Sequence, residues 1–378
     1  MHISDFRKFL RCPKMYQFSL KDNKRPFPFF NINIDPNFKV ADMTENELLK
    51  IEKIAYSTKQ YMEVVQKIDD IDDKKNIYFD GKKSIKRGAA LTLLSLSLCI
   101  VSMLYMPRGI RLPGIYYRCL GVYTANPYWN ATTLAARPFA VIAFFQFWRI
   151  FYEKKQVVSE YVIFSASLLL STMTKPSFTL PFIAMCGVVI CADIFKSRFG
   201  NLKKDVVIGV LFIPTFVDML YQYVQVFRGS EGGGMGIGIA RVWSRYCGNI
   251  PLAILLAMAF PIVLTLVARF CKWEGRFGSM LATGWLFYVI NLIMALFLYE
   301  KGYREYDFNF SWGYMYGIFF AFVIGVFALT EQYDRIREKK IEARRSLIGI
   351  YLSTAIYAIH LICGIIYLAD MLRGGTYN

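Results

Sequence analysis

From residue 88 onward the chain reads as a train of apolar runs, each roughly 17–23 residues long, divided by short basic or glycine-rich segments. A helix needs about 20 such residues to cross a bilayer, so a repeat of this length excludes an ordinary soluble domain. The runs fall at 88–106, 131–152, 158–173, 178–195, 206–226, 250–270, 279–299, 311–329 and 347–369. The expected fold is all-α, a polytopic helical membrane protein of about nine transmembrane helices. Composition agrees, with 55% of residues hydrophobic and 19% charged.

Residues 1–87 differ and are expected to form a small, mainly helical cytoplasmic region before a membrane bundle over 88–378. In "KVADMTENELLKIEKIAYSTKQYMEVVQKI" apolar positions recur at three and four, and Thr44 with Glu47 makes a helix-start signature. The opening "MHISDFRKFLRCPK" has no apolar core segment, so no cleavable signal peptide is expected.

The net charge of +17 suits nucleic acid in a soluble protein, but here the basic residues sit between spans, where they set topology and meet anionic lipid. Membrane lipid is the expected partner and nucleic acid is not. If Lys82, Lys83, Lys86 and Arg87 stay inside, the cytoplasmic loops contain "EKK", "KSRFGNLKKD", "RFCKWEGRFG" and "EQYDRIREKKIEARRS". The alternate loops are longer and poorer in Lys and Arg. This predicts a cell-membrane protein with its amino end cytoplasmic and its carboxyl end outside.

Ionisable residues near or inside spans are expensive and mark candidate sites. Arg137 lies about two turns into a span, Asp218 lies in the outer half of its own, and Lys175 stands at an outer turn in "LLLSTMTKPSFTLPFIA". The loop "YEKGYREYDFNFSWGY" adds Glu300, Arg304, Glu305 and Asp307 beside Trp312, and Tyr128 and Trp129 precede the Arg137 span. One outward cavity collecting these would suit a lipid-linked sugar phosphate. Arg137, Lys175 and Arg304 would hold the phosphate, Tyr128, Trp129 and Trp312 would stack on sugar or lipid, and Asp218, Glu300, Glu305 or Asp307 would act as base. The plainer reading has Arg137 and Lys175 snorkelling to headgroups, an ordinary aromatic belt, and Asp218 paired with Arg137 or Lys175.

Other features carry less. "GSEGGGMGIGIARVW" follows no strand and reads as a flexible outer loop. His360 reads as a hydrogen-bonded packing residue. The eight cysteines form no CxxC pair or metal-like spacing, so no metal site is assigned; Cys119 and Cys247 fall in outer loops where a disulfide is conceivable.

The stretches "ANPYWNATTLAARPFAVIAFFQFWRIFYEK", "LLLSTMTKPSFTLPFIA" and "REYDFNFSWGYMYGIFF" resemble bacterial multipass proteins of the GT-C glycosyltransferase superfamily, over residues 88–370. The resemblance implies sugar transfer from a polyprenyl-phosphate donor at the outer face during cell-envelope assembly, with a divalent metal as the one cofactor it allows. That superfamily keeps an acidic residue in its first outer loop, whereas residues 107–130 here contain no carboxylate. A truncated or inactive relative is thus one expectation. A transporter or flippase of a lipid-linked glycan, or a non-catalytic scaffold, are the others. Separately, "SDFRKFLRCPKMYQFSL", residues 4–20, resembles the start of RecB-like PD-(D/E)XK nucleases, without the acidic pair and lysine that would cut DNA. A foreign amino segment joined to a partial bundle is the expectation that would account for both halves.

Overall fold

The structure, a computed structural model, describes residues 92–104, 124–128, 130–154, 156–227, 234–273, 277–337 and 343–373. The expectations for residues 1–87, for Cys119 and for Trp129 lie outside the described residues. The rest is dominated by helices: α1 (Ala131–Phe151), α2 (Val158–Thr174), α3 (Thr179–Lys196), α4 (Leu202–Val210), α5 (Ile213–Phe227), α6 (Ile250–Phe270), α7 (Phe277–Phe297), α8 (Ser311–Arg337) and α9 (Ala343–Leu372). Six of these, α1, α3, α6, α7, α8 and α9, are long and apolar enough to cross a membrane; taking the bent α4–α5 pair as one span gives seven. The chain is a multi-pass helical membrane protein. Helix α2, with 17 residues, extends for about 26 Å and falls just short of that length class.

Helix α8 is the axis. Most of its apolar stretch is buried, and it packs against α6, α7 and α9. Lipid tails are as apolar as leucine, so helices in a bilayer associate through close packing rather than hydrophobic exclusion. Here the packing is aromatic: Phe144 of α1 stacks on Phe320 of α8 at 4.4 Å, and Phe178 meets Phe287 of α7 edge-on at 5.6 Å. Gly313 and Gly317, four apart on α8, let α7 come close. A side chain at 313 would crowd Asn291 and the Ser177 carbonyl, and one at 317 would press on Tyr288.

Three elements depart from the sequence reading. The run 88–106 is not one helix: residues 92–98 are helical, and the chain then leaves helical geometry through 104. Its backbone groups are satisfied by neighbours instead, as they must be away from water. Ser102 N–H donates to the His360 carbonyl at 3.2 Å and Leu104 N–H to the Leu256 carbonyl at 3.1 Å. The acceptor on α6 lies just before Pro261, whose ring opens the helix there. The Phe260 N–H donates across to His360 Nε2 at 3.2 Å, which leaves His360 Nδ1–H to donate to the Ser102 carbonyl at 2.6 Å. His360 is thus the packing residue expected. Gly364 is required beside it, because a side chain would collide with the Ile100 carbonyl.

The run 206–226 is also not one helix. It bends by 41° between α4 and α5, and Pro214 falls in the first turn of α5, where its missing donor is not needed. Third, part of the glycine-rich segment is a strand. β1 (Gly234–Ile237) pairs antiparallel with β2 (Leu298–Lys301), with Gly234 opposite Lys301 and Ile237 opposite Leu298.

Candidate functional site

The start of α1, the α2–α3 turn and the start of α8 meet at one end of the bundle. Asn130 caps α1. Its Oδ1 accepts from Thr133 N–H at 3.0 Å, from the Thr132 and Thr133 hydroxyls at 2.9 and 3.0 Å, and from Lys175 Nζ at 2.9 Å. Lys175 reaches it because Pro176 forces the preceding residue out of helical geometry. Lys175 accordingly ends α2 in an extended conformation, with φ of −164°. Its ammonium also lies 4.4 Å from the centre of the Trp312 ring. A cation at a helix N-terminus opposes the helix dipole. No carboxylate among the described residues lies within ion-pair distance to relieve it. Burial pulls the Lys175 amine down from 10.5 to about 8.

Two turns further along α1, Arg137 is 7% exposed. Its NH1 donates to Asn126 Oδ1 and its NH2 to the Ala125 carbonyl, both at 2.6 Å, and the guanidinium lies 4.2 Å from the centre of the Phe319 ring. Its Nε has no partner among the described residues. Asn126, fully buried, donates from Nδ2 to the Leu98 and Val101 carbonyls at 3.0 and 2.8 Å, which ends the 92–98 helix and fixes the acceptor that faces Arg137. Tyr316 donates to the Thr133 carbonyl at 2.8 Å and ties α8 to α1 beside this arginine. The two cations therefore face α8 at positions seven residues apart, Trp312 and Phe319, or roughly 10 Å in depth. Both rest on neutral amides, carbonyls and rings.

The carboxylates proposed as bases are elsewhere. Glu305 receives Arg241 through Nε at 2.7 Å and NH2 at 3.3 Å, and this arginine holds its carboxyl below the usual range. Glu300 and Asp307 both pair with Arg304, at 3.3 and 3.5 Å. Arg304, expected on a phosphate, is thus engaged by acid groups of its own loop. Asp218 accepts from Gln222 Nε2 at 2.8 Å, and the same nitrogen donates to the Thr172 carbonyl at 3.0 Å, one turn before Lys175. It pairs with neither Arg137 nor Lys175, against expectation: a glutamine one helical turn away offers a cheaper neutral donor than a distant cation.

The nine candidates that fall among the described residues thus separate into groups. Lys175, Arg137 and Trp312 line the α1–α8 contact. Glu300 and Asp307 pair with Arg304 within their own loop, Glu305 pairs with Arg241, and Asp218 stands on α5. Tyr128 donates to the Cys99 carbonyl at 2.9 Å and packs on Tyr367, so it supports the irregular 99–104 segment rather than a ligand. Sequence reasoning missed Asn126, Asn130, Tyr316 and Phe319. The two asparagines had a signal, since "NPYWN" sets two amides just before a span that carries an arginine. No protein family, curated protein or solved structure matches the chain.

Proposed function

We propose that this membrane protein receives the phosphate of a lipid-linked sugar at its outer end and transfers the sugar, in the manner of the GT-C-like enzymes it resembles. The observation that carries the reading is the pair of buried or half-buried cations, Lys175 and Arg137, with no carboxylate among the described residues to neutralise either. Leaving a desolvated cation uncompensated is costly, and an anionic ligand relieves that cost. Lys175 is the one able to move. Asn130 Oδ1 has two lone pairs and four donors aimed at it, so the ammonium can pass to a phosphate without orphaning its acceptor. Arg137, locked by Asn126 and Ala125, contributes a fixed positive potential behind it. Trp312 offers a ring face beside the ammonium for a sugar or the first lipid unit.

A base is needed to activate an acceptor hydroxyl. Glu300, Glu305 and Asp307 are held by arginines, which leaves Asp218, one hydrogen-bonded residue from the end of α2, as the candidate. The same engagement of the loop carboxylates favours a second reading, a carrier or flippase for the lipid-linked glycan that uses the cations without a base. Purified protein incubated with radiolabelled polyprenyl-phosphate sugars separates the two. Transfer that is lost in both Lys175→Ala and Asp218→Ala supports the enzyme. Binding without transfer, lost only in Lys175→Ala, supports the carrier. Neither binding nor transfer with any donor refutes both.

A further inference from the structure

Where α3 turns into α4, one lysine serves two carboxylates that the α1–α8 site does not use. Lys204 Nζ lies 2.5 Å from Asp193 Oδ2 on α3 and 3.3 Å from Asp205 Oδ1, its neighbour on α4. The same ammonium sits 4.3 Å from the centre of the Phe151 ring at the end of α1. The two acids are served unequally. Asp193 also accepts from Asn201 Nδ2 at 3.1 Å, and its side chain is partly open to its surroundings. Asp205 has neither advantage: its side chain is fully covered, and neither of its oxygens accepts a hydrogen bond among the described residues. The charged groups that bear on Asp205 are the shared ammonium and Asp193 itself.

A carboxylate covered without a donor is expensive, and a like charge beside it raises the cost. One ammonium cannot relieve both acids, and its closer contact goes to Asp193. The cheaper state keeps Asp193 ionised on Lys204 and Asn201 and leaves Asp205 as the neutral acid. We infer that Asp205 holds a proton at neutral pH, which makes the α3–α4 junction a proton-binding site switched through the Lys204 ammonium. When Asp205 gives its proton to water, it becomes a second anion on that ammonium, which is then divided between α3 and α4. The contact that weakens is Lys204 to Asp193, and with the Asn201 bond this contact closes the turn. The turn needs closing. Arg198 and Phe199 both lie in the left-handed region, at φ of 48° and 68°, a geometry that persists only while its surroundings hold it. Loss of the proton therefore loosens the start of α4, the first half of the bent α4–α5 pair. The site is independent of the lipid-phosphate reading of Lys175 and Asp218.

Difference infrared spectroscopy of the full chain in lipid, pH 6 minus pH 10, tests it through the C=O stretch of protonated carboxyl groups. Ordinary carboxylates are ionised at both values, so a band reports an acid held neutral. The wild-type protein is expected to show one. Asp205→Asn should abolish it. Asp193→Asn should abolish it too, because an undivided ammonium then keeps Asp205 ionised, whereas Asp218→Asn should leave it intact. No band in the wild type overturns the inference, as does a band that survives Asp205→Asn or disappears in Asp218→Asn. A band that persists in Asp193→Asn overturns the shared-ammonium switch. Should Asp205→Asn fail to fold, the wild-type and Asp193→Asn spectra decide the matter between them. Amide exchange gives the second readout: at pH 10, Phe199 and Asn201 should exchange faster in the wild type than in Asp205→Asn, and equal rates would refute the loosening of the turn.

Discussion

Lys175→Met isolates the electrostatic cost of an uncompensated cation. Burial moves the amine from 10.5 to about 8. A displacement of about 2.5 pH units amounts to roughly 3 kcal/mol set against the charged folded state at neutral pH, at about 1.4 kcal/mol per unit. At pH 7 the variant avoids this cost and should be the more stable of the two by up to about 3 kcal/mol. The gap closes as pH rises. Between about 8 and 10.5 the folded protein has released the proton and the unfolded chain still holds it. Wild-type stability then climbs relative to the variant by up to about 3 kcal/mol and levels off above the unfolded value. Unfolding of both proteins in detergent micelles, followed by tryptophan fluorescence from pH 7 to 10.5, reads this directly. Parallel profiles would refute the claim that Lys175 is desolvated without a counter-charge.

Asn130→Asp keeps the cap of α1 and gives Lys175 a carboxylate, so thermal unfolding should shift upward by about 1 kcal/mol while binding of anionic lipid weakens. Asn126→Ala removes the acceptor of Arg137 and the donors of two buried carbonyls; a loss of about 3–5 kcal/mol and poor recovery from the membrane are expected, measured by retention of folded protein on size exclusion. His360→Ala leaves the Phe260 N–H and the Ser102 carbonyl unpaired and should destabilise by about 2–4 kcal/mol in the same unfolding assay. Gly364→Ala should disrupt the contact between α9 and the 99–104 segment, seen as faster amide exchange at Ser102 and Leu104.

Much of the helical layout was legible because span length and hydropathy are dictated by the bilayer. The runs read at 158–173, 178–195 and 250–270 return as Val158–Thr174, Thr179–Lys196 and Ile250–Phe270. Where reading failed, the determinants were distant in sequence. The end of the 92–98 helix is set by Asn126, 25 residues beyond Val101, and by His360, 258 residues from Ser102. Hydropathy alone cannot distinguish such a supported irregular segment from a helix. The ionic partners were equally hidden: Arg241 and Glu305 lie 64 residues apart and meet only because β1 pairs with β2. Lys175 was recognisable, since Pro176 and the apolar flanks mark a turn that presents its side chain. That Asn130 would receive it, 45 residues away, was not.

The central claim is that Lys175 and Arg137 await a lipid phosphate. The direct measurement compares binding of a polyprenyl phosphate with that of the matching neutral polyprenol to purified full-length protein, at pH 7 and pH 9.5. A marked preference for the phosphate is expected at pH 7, weakened at pH 9.5 as the Lys175 ammonium loses its proton, and absent in Lys175→Met. Equal binding of phosphate and alcohol, or a preference that survives in Lys175→Met at both pH values, would contradict it.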